Sequence, residues 1–356
     1  MFDFSLNEQQ DLLVKTVEEF ARKEIREKIR EFEEKGVDEL RKKVFEIGLS
    51  GVEFPEELGG AGMGMLERAL VLKTMAEKGD GGTTYSLFSF LPPLYALYEL
   101  SDTEKTKEII KKVLLGKEKI ALAKSGIYQD NVTTRAKVDK NLTTLVVEEE
   151  NPGIIVFFGE ENGKISLYIS RKFKKEKKLF RSGVFSSPAY EFNIEQWDKV
   201  AENFIGTEKW SRFIARIHIM LSAICTGIAK CASDYALEYA LERIAFGRPI
   251  AYHQAISFML ADMNTTSDAL EILLLKSAWD FDNSKQYWQD STTELVLESL
   301  DIVKKVTSDA VQVLGGHGYI KDHPVEKWMR DFEDIINAFG SPLRFEGTIK
   351  NLQTGF

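Results

Sequence analysis

Cysteine is scarce in this chain of 356 residues, and long apolar runs are missing. The two cysteines, Cys225 and Cys231, lie six apart on one apolar helical pattern, which directs them to different faces of a helix. We therefore predict two buried free thiols rather than a disulfide or a metal pair. No run reaches the roughly eighteen apolar residues of a transmembrane helix, so we expect no membrane span.

An excess of positive charge is also missing. Lysine and arginine number 47 against 56 acidic residues, for a net charge of -9. This balance argues against nucleic acid as a main partner, because binding to phosphates needs clustered cations. The first residues, MFDFSLNEQQ, lack the pattern of a secretory signal, and we expect a cytoplasmic protein. The apolar fraction of 44% is ample for a folded interior.

The periodicity of apolar residues changes twice along the chain. Residues 1–117 follow a helical period, beginning with a predicted capping box between Ser5 and Glu8. Residues 118–206 contain β-branched runs separated by turn residues, with a Lys172–Lys178 stretch predicted as a solvated turn or edge strand. Residues 207–356 return to long helical patterns. We predict a mainly α, α+β chain with an N-terminal helical domain, a small middle β-barrel or sandwich, and a C-terminal four-helix bundle.

Two long motifs carry most of the functional information. The run QVLGGHGYIKDHPVEKWMRD begins at Gln312, and ERIAFGRPIAYHQAISFMLADM begins at Glu242. Paired glycines after a helix are by themselves ordinary capping, although they also allow close backbone approach. Both motifs resemble the acyl-CoA dehydrogenase family, in the same order along the chain. The resemblance implies that family's three-domain fold, an acyl-CoA substrate, FAD, an electron-transfer flavoprotein as electron acceptor, and an oligomer, either a dimer or a tetramer.

The resemblance also assigns roles to particular residues. Arg243 matches the arginine that meets the FAD pyrophosphate, for which a planar guanidinium is suited; the alternative is a surface ion pair with Glu242. Phe246 and Gln254 match positions at the adenosine part. Gln312, Gly315 and Gly316 match the region that receives a partner subunit's FAD. No metal site is expected.

The segment matching the family's flavin-facing strand differs from the family pattern. In ALAKSGIYQD, Ala123 stands in place of a threonine, Lys124 in place of glutamate and Gln129 in place of serine, while Gly126 and Asp130 agree. The family strand that follows and covers the flavin has no recognisable counterpart. The ligand-facing edge of the middle domain is therefore predicted to diverge.

Two positions compete for the catalytic base. Phe345-Glu346-Gly347-Thr348 resembles the family's Tyr-Glu-Gly-Thr, which makes Glu346 the proton abstractor. The family spacing after the Arg-Asp pair instead falls on Phe339, and Glu346 would then lie early in a closing helix. Arg212 or Arg216 is predicted to contact CoA by the same resemblance.

Three functional hypotheses remain from the sequence. The first is an FAD-dependent acyl-CoA dehydrogenase that removes hydrogen from the α and β carbons of an acyl-CoA. The second is a non-catalytic or half-site subunit that lends FAD-binding residues to another chain in a hetero-oligomer. The third is a related flavin oxygenase, or an acyl-CoA binder without dehydrogenation.

Overall fold

The structure is a computed structural model, and it describes residues 5–123, 127–129, 132–137, 144–161 and 163–339. The N-terminal part consists of helices α1 (Glu8–Glu24), α2 (Ile29–Lys35), α3 (Asp38–Glu46), α4 (Met65–Lys78), α5 (Gly81–Leu87), α6 (Leu91–Leu100) and α7 (Glu104–Leu114). The predicted N-terminal helical domain is confirmed. The predicted capping box at Ser5 is wrong: Asn7 caps α1, and its side chain and that of Gln10 bond each other's backbone amides.

The middle part is a seven-stranded mixed sheet. Its strands are β1 (Ile120–Leu122), β2 (Ile127–Gln129), β3 (Val132–Lys137), β4 (Thr144–Val147), β5 (Ile154–Glu161), β6 (Lys164–Leu179) and β7 (Ala189–Glu202). The strands run β1–β5–β6–β7–β4, and a bridge between Ala123 and Val147 returns the sheet to the end of β1. The sheet thus closes as a small barrel, one of the two predicted forms.

The barrel has its own apolar interior, while the opposite face of the sheet joins the helical core. Phe157 and Tyr168 stack inside it with ring centroids 5.3 Å apart. The far half of β6 extends beyond β5 and pairs only with β7 among the described residues. Its exposed lysines mark the predicted edge strand, since charges on an open edge discourage pairing with other chains.

The C-terminal part is the predicted four-helix bundle. Its helices are α8 (Glu208–Glu242), α9 (Gln254–Asp282), α10 (Trp288–Leu314) and α11 (Val325–Ile336), with a short hairpin of β8 (Ile244–Ala245) and β9 (Arg248–Pro249) between α8 and α9. By length and composition α8 could cross a membrane, but 89% of its apolar window is buried inside the fold. This burial is what a central bundle helix shows. Cys225 and Cys231 lie on it as buried free thiols, as predicted.

A buried polar cluster fixes α11 against the N-terminal helices. The Lys327 ammonium lies between two carboxylates, 2.7 Å from Asp80 and 2.5 Å from Asp331, and all three side chains are at most 1% exposed. Burial raises the pKa of Asp331, whereas the Lys327 ammonium and the Thr83 hydrogen bonds hold the pKa of Asp80 below its ordinary value despite burial. A Cβ at Gly82 would lie 2.0 Å from the Asp331 carboxylate, so this approach requires glycine.

Candidate functional site

The ends of α8 and α10 bring the two sequence motifs together. A hydrogen bond of 2.8 Å joins the Tyr239 hydroxyl, in the last turn of α8, to Nδ1 of His317 in the turn after α10. Arg243 follows Tyr239 by one helical turn, and its backbone amide donates to the Tyr239 carbonyl at 2.9 Å. Arg243 and the Gly315-Gly316 turn therefore lie at the same end of the bundle.

Three of the matched side chains at this end form no polar contact with the described part of the chain. Arg243, Gln254 and Gln312 are exposed, and their side chains form no hydrogen bond or ion pair among the described residues. Phe246 is 97% exposed at the tip of the hairpin, with a positive φ of 52°. A positive φ is uncommon for an aromatic residue and stores backbone strain, which marks a position worth testing for function.

The Gly-Gly turn is open towards solvent. Gly315 has φ 58° and ψ -128°, a conformation that strains any residue with a side chain. A Cβ built at Gly315 or Gly316 would meet nothing within 4 Å. The glycines are therefore not needed to accommodate neighbours among the residues that the structure describes, and they leave backbone accessible to a ligand.

Histidines that the sequence analysis did not single out hold this end in shape. Nε2 of His253 lies 3.1 Å from the Ala245 carbonyl, and its ring meets Phe246 edge-on. The rings of His317 and His323 stack at 5.4 Å. The only sequence signal for them is their position inside the two motifs.

Large apolar side chains are exposed at the end of α8, around the start of α9 and in the turn after α10. Each is at least 49% exposed: Leu241, Ile244, Tyr252, Phe258 and Tyr319. Apolar residues gathered at one end of a bundle suit contact with another chain.

Arg212 and Arg216 lie near the other end of α8, about 45 Å from Arg243 at 1.5 Å per residue. Arg216 is buried, and its Nε donates to Glu99 at 2.6 Å. The Nε of Arg212 is 3.5 Å from Glu99, and its guanidinium lies over the Phe281 ring at 4.4 Å. Both line a cavity of about 480 Å³. Arg216 is thus engaged in an internal ion pair, and a contact of either arginine with CoA stays a prediction.

The structure places one of the two candidate base positions. Phe339 follows α11, is half-buried, and packs against the main core. Glu346 lies outside the described residues.

His218, two residues after Arg216 on α8, is buried, and burial lowers its pKa to about 4. Its ring is therefore neutral near pH 7, as expected for a packed core residue.

The flavin-facing strand is described only in part. Ala123 is 2% exposed and forms the bridge that closes the barrel. It supplies no hydroxyl at the place where the family has threonine. Lys124, Gly126 and Asp130 lie outside the described residues, as do the side chains of 127–129. Among the described residues, no group of three or more histidine, cysteine or acidic side chains could hold a metal ion.

Comparison with known proteins decides the family. The N-terminal domain model of acyl-CoA dehydrogenases matches residues 7–117, and the C-terminal domain model matches residues 208–334. The short-chain-specific acyl-CoA dehydrogenase of Clostridium acetobutylicum is 30% identical over 92% of this chain and 93% of its own length. The chain belongs to the acyl-CoA dehydrogenase family.

Two further proteins that resemble the chain are a reductase and a dehydrogenase. The NADH-dependent acryloyl-CoA reductase of Anaerotignum propionicum is 29% identical over 92% of this chain and 90% of its own length. The butyryl-CoA dehydrogenase structure from Megasphaera elsdenii superposes with a TM-score of 0.84, covering 99% of this chain and all of the other at 23% identity. The structural likeness confirms the three-part fold.

Proposed function

We propose that this chain is an FAD-dependent acyl-CoA dehydrogenase, which removes hydrogen from the α and β carbons of an acyl-CoA thioester. The observation that carries the proposal is the set of exposed, unengaged side chains around an open Gly-Gly turn, together with the family membership. In the part of the chain that the structure describes, the side chains of Arg243, Gln254 and Gln312 form no hydrogen bond or ion pair.

The residues at this end fit the pyrophosphate and adenosine half of FAD. Arg243 offers an unengaged guanidinium of the kind that binds phosphate oxygens in pairs. Gln254 and Gln312 offer free amides, and the Phe246 ring is open to an adenine face. Gly315 and Gly316 permit close backbone approach. At the flavin ring, Ala123 supplies no hydroxyl at the position where the family has threonine.

The chain's own residues bind and orient the cofactor, and one of them moves a proton. Arg243 and the two glutamines fix the cofactor, and Glu346 takes the α-proton of the acyl-CoA as general base. FAD, when bound, supplies the hydride acceptor.

The exposed apolar side chains at this bundle end, from Leu241 to Tyr319, support an assembly with further copies, a dimer or a tetramer. In that assembly the bundle ends complete each other's cofactor sites. An electron-transfer flavoprotein is the proposed electron acceptor, and the cytoplasm the proposed compartment. The domain limits at residues 1–117, 118–206 and 207–356 belong to the same proposal.

Stopped-flow reduction of the flavin by a short acyl-CoA tests the role of Glu346. Glu346→Gln is expected to slow flavin bleaching at least about a hundredfold, because a positioned base contributes roughly 10²–10⁴-fold. Glu333→Gln, at an exposed glutamate of α11, is the matched control and is expected to react at the parent rate. Equal rates for parent and Glu346→Gln would remove Glu346 from the mechanism.

A second candidate function is favoured by Ala123 and Phe339. If Phe339 occupies the place of the base, the chain is a half-site subunit that lends Arg243, Gln254 and the Gly-Gly turn to a partner's FAD. Such a chain would purify colourless and gain flavin only beside a second polypeptide. Stable FAD binding by the chain alone would contradict this candidate.

A further inference from the structure

The cavity of about 480 Å³ that Arg212 and Arg216 line lies where α6, α8 and α9 meet the loop between α3 and α4. Its volume is in the range of small-molecule sites. None of the residues proposed to bind FAD lines it, and neither does Phe339. The cavity is therefore separate from the open bundle end.

The guanidinium group of Arg216 has unused donors that a molecule in this cavity can reach. Its side chain is only 6% exposed, and its Nε donates to Glu99 at 2.6 Å. Its Nη atoms form no hydrogen bond among the described residues, yet neither is one of the occluded nitrogens that lack a partner. Because Arg216 lines the cavity, these accessible donors are open to an acceptor that enters it.

Arg212 brings a second cation to the same wall. It precedes Arg216 by about one helical turn, and the Nε of Arg212 lies 3.5 Å from the other oxygen of Glu99. Its guanidinium forms no hydrogen bond within the described part of the chain. Two guanidinium groups thus share one carboxylate, and a second carboxylate would complete the pairing, since each guanidinium can donate two parallel hydrogen bonds.

The other acidic group of the inner wall is already paired. The Glu53 side chain is fully buried, its carboxylate is 2.6 Å from the Arg68 guanidinium, and it also accepts from the Tyr95 hydroxyl. Glu53 therefore leaves the charge of the two cavity arginines uncompensated.

The mouth of the cavity carries negative charge instead. Glu56 and Glu57 line it, are exposed, and have no ion-pair partner among the residues that the structure describes. Asp282 also lines it, and its oxygens accept from the Met65 and Leu66 amides at 2.9 Å. These carboxylates would repel a ligand that carries only negative charge and would attract a positive group.

We infer that this cavity binds a small zwitterion, an amino acid whose carboxylate and ammonium groups are separated by several carbon atoms. The carboxylate accepts from Arg212 and Arg216 at the inner wall, and the ammonium lies near Glu56 and Glu57 at the mouth. The carbon chain between them lies against Tyr98, which also lines the cavity. The site takes no part in the proposed dehydrogenation.

Ligand-observed NMR titration of the purified full-length chain with three probes of equal carbon number tests the inference. 5-Aminovalerate carries both charges, and it is expected to bind at least about tenfold more tightly than pentylamine, which lacks the carboxylate. It is expected to bind about threefold more tightly than valerate, which lacks the ammonium, because a solvent-exposed ion pair contributes less. Valerate or pentylamine binding as tightly as 5-aminovalerate, or no binding of 5-aminovalerate, would overturn the inference.

Variants locate the two charges of the ligand. Arg212→Leu is expected to weaken 5-aminovalerate at least about fivefold, and Arg22→Leu, at an arginine that is 59% exposed elsewhere, is expected to leave it unchanged. Arg212 is chosen because removal of Arg216 would leave the buried Glu99 without its closest cation. The double variant Glu56→Gln, Glu57→Gln is expected to abolish the preference for 5-aminovalerate over valerate. An unchanged affinity in Arg212→Leu would overturn the assignment.

Competition with free CoA separates this site from the predicted contact of the two arginines with CoA. 5-Aminovalerate is expected to remain bound when CoA is added, and the absorbance of any bound flavin is expected to stay the same. Displacement of 5-aminovalerate by CoA would assign the arginines to the substrate and would overturn the inference. Loss of dehydrogenase activity alone would leave these binding results unaffected, so the two proposals fail separately.

Discussion

The run from Gln312 to Asp331 contains two regions with opposite physical characters. At its start, Gln312, Gly315 and Gly316 are exposed, and no described residue lies within 4 Å of a Cβ built at either glycine. At its end, Lys327 and Asp331 are fully buried in a cluster that also includes Asp80. A single recognisable motif therefore combines residues available to a ligand with residues committed to the fold.

This contrast teaches that a motif match alone does not assign a function to each of its residues. The buried end can be explained without any ligand, because it ties α11 to α5. The exposed end is not explained in this way, because the side chain of Gln312 forms no hydrogen bond or ion pair among the described residues. Variants at the two ends should therefore separate stability from cofactor binding.

The largest expected effect is at the buried end. Lys327→Met removes the cation between Asp80 and Asp331 and leaves two buried carboxylates without it, so we expect a loss of about 3–5 kcal/mol in the free energy of unfolding. Urea denaturation measures it, with Lys304→Met as the control because that side chain is 66% exposed. A loss below about 1 kcal/mol would show that the cluster does not hold α11 in place.

The reverse pattern is expected for Arg243→Met at the exposed end. Loss of a charge-assisted pair with phosphate should weaken FAD binding about 10- to 100-fold. The free energy of unfolding of the flavin-free chain should change by less than about 0.5 kcal/mol. FAD titration and urea denaturation are run together, with Arg248→Met in the same hairpin as control. Unchanged FAD affinity would remove Arg243 from the site.

Lowering the pH should reduce the free energy of unfolding because His218 is buried in α8. Its pKa is lowered to about 4, so between pH 6.5 and 4 the unfolded chain takes up a proton that the folded chain does not. The free energy of unfolding therefore decreases as the pH is lowered from 6.5 to 4. Between pH 7.5 and pH 5 the parent should lose about 2 kcal/mol more than His218→Leu. Parallel pH profiles of the two proteins would contradict the neutral, buried histidine.

The smallest expected effect is the difference in stability between alanine substitutions at two neighbouring glycines. Gly315→Ala places a side chain at φ 58° and should cost about 1–2 kcal/mol of stability. Gly316→Ala meets open space and should leave stability within about 0.5 kcal/mol, while weakening FAD binding if the nucleotide approaches that backbone. Thermal unfolding with and without FAD measures both. Equal destabilisation by the two substitutions would contradict the backbone geometry at Gly315.

Local patterns in the sequence predicted most of the fold. The change from helical to strand period and back corresponds to the three parts of the structure, and Cys225 and Cys231 are free and buried as expected. The capping residue was wrong by two positions, because Ser5, Asn7 and Gln10 all suit a helix start and only packing selects among them.

Side-chain contacts between residues far apart in the sequence could not be predicted from such local patterns. Arg216, one of the two candidates for contact with CoA, pairs with Glu99, 117 positions earlier in the chain, and no local pattern indicates that pairing. The contacts among Lys327, Asp80 and Asp331 likewise depend on how α5 and α11 meet. The choice between Phe339 and Glu346 depends on the path of the chain after α11, which no helical or strand period fixes.

The most direct test of the central claim is an absorbance spectrum of the purified chain, recorded before and after addition of FAD and then of a short acyl-CoA under anaerobic conditions. An FAD-dependent acyl-CoA dehydrogenase is predicted to retain the flavin and to bleach when the acyl-CoA is added. A chain that holds no flavin at any FAD concentration, or whose bound flavin does not respond to acyl-CoA, would contradict that account.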